Sequence, residues 1–170
     1  QKQTLKQVNF EANKFLIEID DISKYIKVYY DENNSLLKNI VDINHNITSI
    51  IILNSKGIIR DLYAQENLNI YKGYDYSNKT YFNKIKEGKE YFWSDVFLST
   101  IDESQSLSYS FKLKDKVGVI FIKLVDLSSF IKRFKNTDKS HIISVFDKSG
   151  ILILNPDDAE IEAQRVNASS

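Results

Sequence analysis

Apolar residues Leu5, Val8, Ala12, Phe15, Ile19, Ile22, Ile26 and Tyr29 recur at alternating spacings of three and four without a slip. That is an a/d heptad seam, and it predicts that residues 1–46 are helical. The pattern runs on through Leu36, Ile40 and Ile43, with polar Asn33 interrupting it. The cluster Asp31-Glu32-Asn33-Asn34-Ser35 is rich in N-cap residue types and can end one helix and start another. Two uses of the seam stay open, packing on the chain's own sheet and pairing with a second copy in a parallel dimer.

After residue 46 the period changes to that of strands. Ile50-Ile51-Ile52-Leu53, the turn Asn54-Ser55-Lys56-Gly57 and then Ile58-Ile59 make Ile47–Ala64 a hairpin. The same unit returns at Ser144–Leu152, where Asp147-Lys148-Ser149-Gly150 is the turn, so one architectural unit begins twice. Gln65–Ser77 reads as a loop. Asn78–Glu87 is a short helix stopped by Gly88, and Tyr91–Ser99 is aromatic-rich and extended. Ile101–Gln105 is turn-like. Ser106–Lys114 alternates cleanly, with Leu107, Tyr109, Phe111 and Leu113 on one face and Ser106, Ser108, Ser110 and Lys112 on the other. Asp115-Lys116 is a tight turn. Val117–Val125, apolar on both faces apart from Lys123, belongs in the centre of a sheet. Asp126-Leu127-Ser128 caps a short helix through Phe134, Asn136–Ser140 is a polar linker, and Asp157–Ser170 is polar and helical at its start.

These elements predict an α+β fold: a long N-terminal helix, then five antiparallel strands with helices on one side. The order strand–strand–helix–strand–strand–strand is that of a PAS-like sensor module. The domain reading is an N-terminal helical stalk over 1–46, a PAS-like ligand-binding module over 47–137 and the start of a second module over 138–170. Only about 20 residues follow Gly150, against about 80 from Gly57 to the end of the first module. The second module is therefore truncated or is completed by residues outside this chain.

Composition narrows the function classes. The 170 residues are 42% hydrophobic and 27% charged, ordinary globular values. Lys+Arg and Asp+Glu balance at 23 each, so bulk charge argues for neither nucleic acid nor an anionic membrane. Lys132, Arg133 and Lys135 form a small cationic face, too narrow for nucleic acid. There is no cysteine, hence no disulfide framework and no thiolate-bound metal. There is no methionine, even at position 1, which reads as a chain that starts inside a longer protein with a signal or anchor cut away. No run approaches the roughly 18–20 apolar residues of a membrane span. Catalysis finds little support: His45 and His141 are the only histidines, no nucleophile elbow, metal-binding His pair or phosphate-binding glycine loop occurs, and Asp20-Asp21 and Asp157-Asp158 read as solvated or capping pairs. The expectation is a non-enzyme without a cofactor.

Read together, these residues resemble the double Cache family, the tandem PAS-like extracytoplasmic sensors of bacterial receptors. The resemblance covers nearly the whole chain. It is carried by the long N-terminal helix, the hairpin Ile50–Ile59 and the run Gly73-Tyr74-Asp75-Tyr76-Ser77-Asn78-Lys79-Thr80-Tyr81-Phe82. Trp93-Ser94-Asp95-Val96-Phe97, Gly118-Val119-Ile120, Asp126-Leu127, Val145-Phe146-Asp147 and Asn155-Pro156-Asp157 continue it. The resemblance implies a sensor that sits between two membrane spans and drives a histidine kinase, a chemoreceptor or a cyclic-di-nucleotide enzyme such as a diguanylate cyclase. It implies ligand binding in the membrane-distal module, under the loop that precedes the short helix, and a homodimer contact through the N-terminal helix. The alternative is a ligand-free dimerisation or scaffold module that responds to a protein partner.

Carried over residue by residue, the resemblance implies Lys79, Tyr81 and Phe82 at the cation and aromatic pair of amino-acid-binding members. Lys79 would hold a carboxylate as a point charge. The Tyr-x-Asp of those members falls near Phe97-Leu98-Ser99, where both polar anchors are missing, and a later Asp is replaced by Lys123. A small organic anion without an amine is therefore the favoured ligand. The candidate ligand-binding set is Tyr76, Lys79, Tyr81, Trp93, Phe97, Ser99, Tyr109 and Lys123. Five of these have a plainer reading: a solvated Lys79, core aromatics at Tyr76, Tyr81 and Trp93, and a Lys123 that snorkels from a strand end. Asp75 reads as a loop cap.

Overall fold

The heptad seam folds as α1 (Lys2–Tyr29), and a second helix, α2 (Asn34–Ile43), follows after a short break. The structure is a computed structural model that describes the backbone of residues 2–32, 34–65, 70–95, 97–99, 105–123, 145–146 and 152–154, with side chains at 10, 14–32, 35–65, 70–95, 97–99 and 106–123. The break falls in the cluster of N-cap types, where Glu32 turns the chain with φ +67°. An ion pair from Lys116 Nζ to Glu32 at 3.0 Å lies at this corner.

A sheet follows, built from β1 (Ile47–Leu53), β2 (Ile59–Ala64), β3 (Tyr91–Trp93), β4 (Phe97–Leu98), β5 (Gln105–Leu113) and β6 (Lys116–Lys123), with α3 (Thr80–Lys86) between β2 and β3. The order across the sheet is β2-β1-β6-β5-β3, with β4 paired to the same strand, β5, as β3. Every pairing is antiparallel. The expected extended stretch Tyr91–Ser99 is thus two short strands sharing one edge. β6 lies between β1 and β5, as an apolar strand on both faces requires. The turn into β6 is Lys114-Asp115, one residue earlier than expected, because Lys114 takes the left-handed corner at φ +55° and Lys116 already pairs with Leu113. Two further strands, β7 (Val145–Phe146) and β8 (Leu152–Leu154), pair with each other as a separate antiparallel hairpin. The expected helix at 126–134, the linker at 136–140 and the tail at 157–170 lie outside the described residues.

Strand alternation divides the core in two. On one face Ile50, Ile52, Tyr109, Phe111, Leu113, Ile120 and Ile122 pack against Ile19 and Ile26 of α1 and Leu37, Ile40 and Val41 of α2. On the other, Ile51, Leu53, Val117, Val119 and Phe121 pack against Tyr81, Phe82 and Ile85 of α3. Helices therefore cover both faces, not one side as the sequence reading had it. The faces are distinguished by which helix can reach them, and that is a tertiary fact. Gly118 stands where Phe111 lies flat against its neighbour strand; a Cβ there would enter the Phe111 ring.

Among the described side chains of the seam, those from Phe15 to Ile26 face this sheet, while Tyr29 is exposed. Ile19 and Ile26 are fully buried, and Phe15 and Ile22 pack beside them. The opposite side of α1 leaves Phe10, Ile17 and Val28 exposed. The polar tie between α1 and the sheet is Tyr109, whose hydroxyl donates to Asp20.

Buried phenols set an alkaline limit on this fold. Burial, then Asp61, pushes the Tyr30 phenol up from its ordinary value; burial, then Asp20, does the same for Tyr109, and burial for Tyr81. A folded-state value above the unfolded one means the folded protein holds the proton more tightly. The associated stability is complete below pH 10 and is lost as pH rises past the ordinary value of 10.0. The melting temperature should fall from about pH 10 upward. Tyr30→Phe with Tyr109→Phe should flatten that fall, measured by circular dichroism melts across pH 8–12.

Candidate ligand-binding site

The site is built on the first hairpin's turn. Asn54 Oδ1 accepts the backbone N–H groups of Lys56 (2.9 Å) and Ile58 (3.0 Å), and Gly57 closes the corner at φ +84°. The carbonyl of Gly57 then accepts the N–H of Tyr76 at 2.8 Å. Ile59 and the chain at Tyr74 and Gly73 exchange two more backbone bonds, at 2.9 and 2.8 Å. The loop from Ile70 is thereby stitched to the sheet edge, and Asp75 Oδ1 accepts the N–H of Ser77 at 2.8 Å, the capping role expected of it. Lys79 is the N-cap residue of α3, with extended backbone and no side-chain cap bond, so its ammonium is left for other work. Gly88, at φ +105°, ends the helical segment, its N–H donating to the Ile85 carbonyl at 3.0 Å.

Between α3, the β3–β4 segment and the sheet lies a cavity of about 310 Å³. Its floor is Phe121. Tyr76, Tyr81, Phe92 and Phe97 form aromatic walls, and Lys79, Thr80, Ser94, Asp95 and Ser99 supply the polar groups. The rings pack on one another, Tyr81 edge-on to Phe121 at 5.6 Å and 88°, Phe97 edge-on to Phe121 at 6.2 Å, and Tyr81 tilted to Phe97 at 6.3 Å. Lys79 Nζ stands 5.6 Å from the Tyr76 ring centre, a cation–π contact that leaves its donors able to meet an anion. An apolar concavity with a few convergent polar groups is the usual form of a small-molecule site.

Of the eight candidates, Tyr76, Lys79, Tyr81, Phe97 and Ser99 come together in this cavity. Trp93 and Tyr109 do not. Strand alternation turns both to the α1 face, where they pack on each other at 4.8 Å, and Tyr109 is tied to Asp20. Lys123 is on the cavity's face of β6 but at the strand end, opposite Ser106 and one pair beyond Phe121, and it does not line the cavity. Phe121, Phe92 and Asp95 were missed. Alternation would have grouped Phe92 and Ser94 against Trp93, but which group meets a ligand depends on which helix covers which face. Asp95 sits in the gap between β3 and β4, where no period applies. Among the described residues no cluster of three or more His, Cys, Asp or Glu could hold a metal ion.

No protein-family model matches the sequence, and no curated protein does. Solved structures match its fold. The ligand-binding domain of the Campylobacter jejuni chemoreceptor Tlp3 in complex with L-valine superposes with a TM-score of 0.75 at 12% identity, over 99% of this chain and 74% of that one. The ligand-binding domain of the Pseudomonas fluorescens chemoreceptor CtaA with L-isoleucine gives 0.64 at 12% identity, over 95% and 67%. An extracellular ligand-binding receptor from Desulfohalobium retbaense gives 0.77 at 14% identity, over 95% of this chain and 32% of that one. The chain has the fold of Cache-type sensory domains, α1 and α2 on one face of a PAS-like antiparallel sheet and a ligand-sized cavity on the other.

Proposed function

We propose that this chain is the extracytoplasmic sensor part of a bacterial transmembrane receptor, and that it binds a small carboxylate-bearing metabolite in the cavity beside α3. The observation that carries the reading is the cavity itself: aromatic walls, one cation at Lys79 and one carboxylate at Asp95. Lys79 takes the ligand's carboxylate. Asp95 supplies the acidic partner that the region of Phe97-Leu98-Ser99 lacks, so an amine on the ligand now has a place. The favoured ligand shifts from an amine-free acid to a small amino acid, the class bound by the chemoreceptor domains of like fold.

In this proposal residues 1–46 are the stalk, 47–137 the ligand-binding module and 138–170 the start of a second one, with membrane spans outside the chain. Among the described residues no helix is long and apolar enough to cross a membrane. The output passes through α1, because the cavity and α1 lie on opposite faces of one sheet. Pairing of two N-terminal helices would use Phe10, Ile17 and Val28, the apolar positions that the sheet leaves exposed. Ligand binding shifts the receptor only by its differential affinity for the two output states.

The test is calorimetry of the purified domain against short carboxylates and amino acids, repeated with Lys79→Ala. The expected loss on Lys79→Ala is about tenfold or more in affinity, roughly 1.4 kcal/mol per factor of ten. A variant that binds as the native protein does removes Lys79 from the site. A cavity that accepts nothing from the panel favours the second reading, a ligand-free module that answers to a protein partner.

A further inference from the structure

Beneath the Phe121 floor of the cavity, outside its lining, lie two hydroxyls with nothing to bond. Across the sheet, Ser49 of β1, Phe121 of β6 and Ser108 of β5 stand in one row of the register, and alternation puts all three on the cavity's face. Ser49 and Ser108 are fully buried, and among the described residues neither Oγ has a hydrogen-bond partner. Their surroundings differ from those of Ser110 next along β5, whose hydroxyl donates to the Phe92 carbonyl. The backbone of Ser108 is also accounted for: its N–H donates to Ser94 Oγ at 2.8 Å and its carbonyl accepts the N–H of Ser94 at 2.9 Å. Only the side-chain hydroxyl is left over. Alanine in both places would keep the strand and remove a desolvated polar group at no packing cost, so orphan serines at two positions of one row call for a partner.

The geometry points to the ligand as that partner. The Phe121 ring separates the two hydroxyls and forms the cavity floor, with Phe97 and Tyr81 in edge contact above it. Both hydroxyls lie under the Phe121 ring and outside the cavity's lining, so the Phe121 side chain has to turn aside when a ligand with its charged end at Lys79 brings its far end to the serine row. The floor therefore selects a ligand that ends in a hydroxyl or carbonyl oxygen over one that ends in a methyl. Polar groups built to hydrogen-bond a ligand discriminate strongly against the isostere that cannot, because that isostere leaves them buried and unpaired. This inference rests on the proposed site and adds the chemistry of the ligand's far end.

Four matched compounds separate the two readings: L-threonine and L-valine, and their amine-free counterparts 3-hydroxybutanoate and 3-methylbutanoate. Within each pair only a hydroxyl replaces a methyl; between pairs only the amine changes. Calorimetry on the native domain should give at least tenfold tighter binding of the hydroxyl member of the pair that binds. In the double variant Ser49→Ala, Ser108→Ala that preference should fall to about onefold, while the ligand-free melting temperature holds or rises. Equal or tighter binding of the methyl member overturns the inference and leaves the site reading intact, as does a hydroxyl preference that survives the double variant. A ligand-free melting temperature that drops in the double variant also overturns it, since the hydroxyls then have a partner within the protein or a resident water. Failure of all four compounds overturns both the inference and the proposed ligand class, and the amine arm alone decides whether Asp95 reads an ammonium.

Discussion

Replacing Gly57 by alanine is expected to cost the domain a large part of its stability and, under the proposed function, most of its affinity for ligand. Gly57 sits at φ +84°, and a Cβ there would come within 2.5 Å of the Ser77 Cα. The left-handed corner costs a non-glycine residue roughly 1–2 kcal/mol, and the forced contact with backbone adds roughly 1–3 kcal/mol. The relief available is for the chain at 75–77 to lift away, which breaks the 2.8 Å bond from Tyr76 N–H to the Gly57 carbonyl and the bridge between Ile58 and Asp75. Tyr76 and Lys79 then leave the cavity wall together. Gly73→Ala is the control: its φ is +95°, but open space surrounds the missing Cβ. Urea denaturation should show Gly57→Ala less stable than Gly73→Ala by about the packing share, on the order of 1–3 kcal/mol. Equal midpoints would mean that the loop is not pressed against this turn.

Asp61→Ala is expected to be the other costly single change, and its effect lies on the far side of the loop. Asp61 is only 3% exposed. Its carboxylate accepts the Tyr30 hydroxyl at 3.0 Å and the Leu62 N–H at 3.0 Å, and pairs with Lys72 Nζ at 3.1 Å. Three segments meet on it: the end of α1, strand β2 and the loop that carries Tyr76. Alanine strips the partner from a half-buried phenol and a backbone N–H. The expected loss is about 2–3 kcal/mol, because stranded groups pay their desolvation in full. Lys72 is largely exposed and regains water, so it adds little. Asp61→Asn keeps an acceptor for Tyr30 and should recover most of the loss. A thermal melt in which asparagine is as damaging as alanine would shift the weight to the ion pair with Lys72.

How much of this was legible in advance varies by element for physical reasons. The hairpin at Asn54–Gly57 was readable because its turn chemistry is local: the Asn side chain and the glycine corner act within four residues. α3 and its stop at Gly88 were readable for the same reason. The alternation of β5 was readable too, but not its meaning. Tyr109, a candidate ligand contact by its sequence, lies on the α1 face with its hydroxyl on Asp20, because a period of two names two faces without saying what covers each. The seam on α1 left two partners open. Apolar spacing records that a face is buried and is silent on whether the burying surface belongs to the same chain.

The order of elements, the antiparallel PAS-like sheet and the resemblance to Cache sensors follow from the sequence by itself, since propensity, turn residues and period are properties of neighbouring residues. The site depended on the tertiary structure. It brought Asp95 from a gap between strands to the same cavity as Lys79, set Phe121 as its floor, and left Ser49 and Ser108 in one row beneath it. Those groups are far apart along the chain, and the contacts between them exist only once the strands are in register.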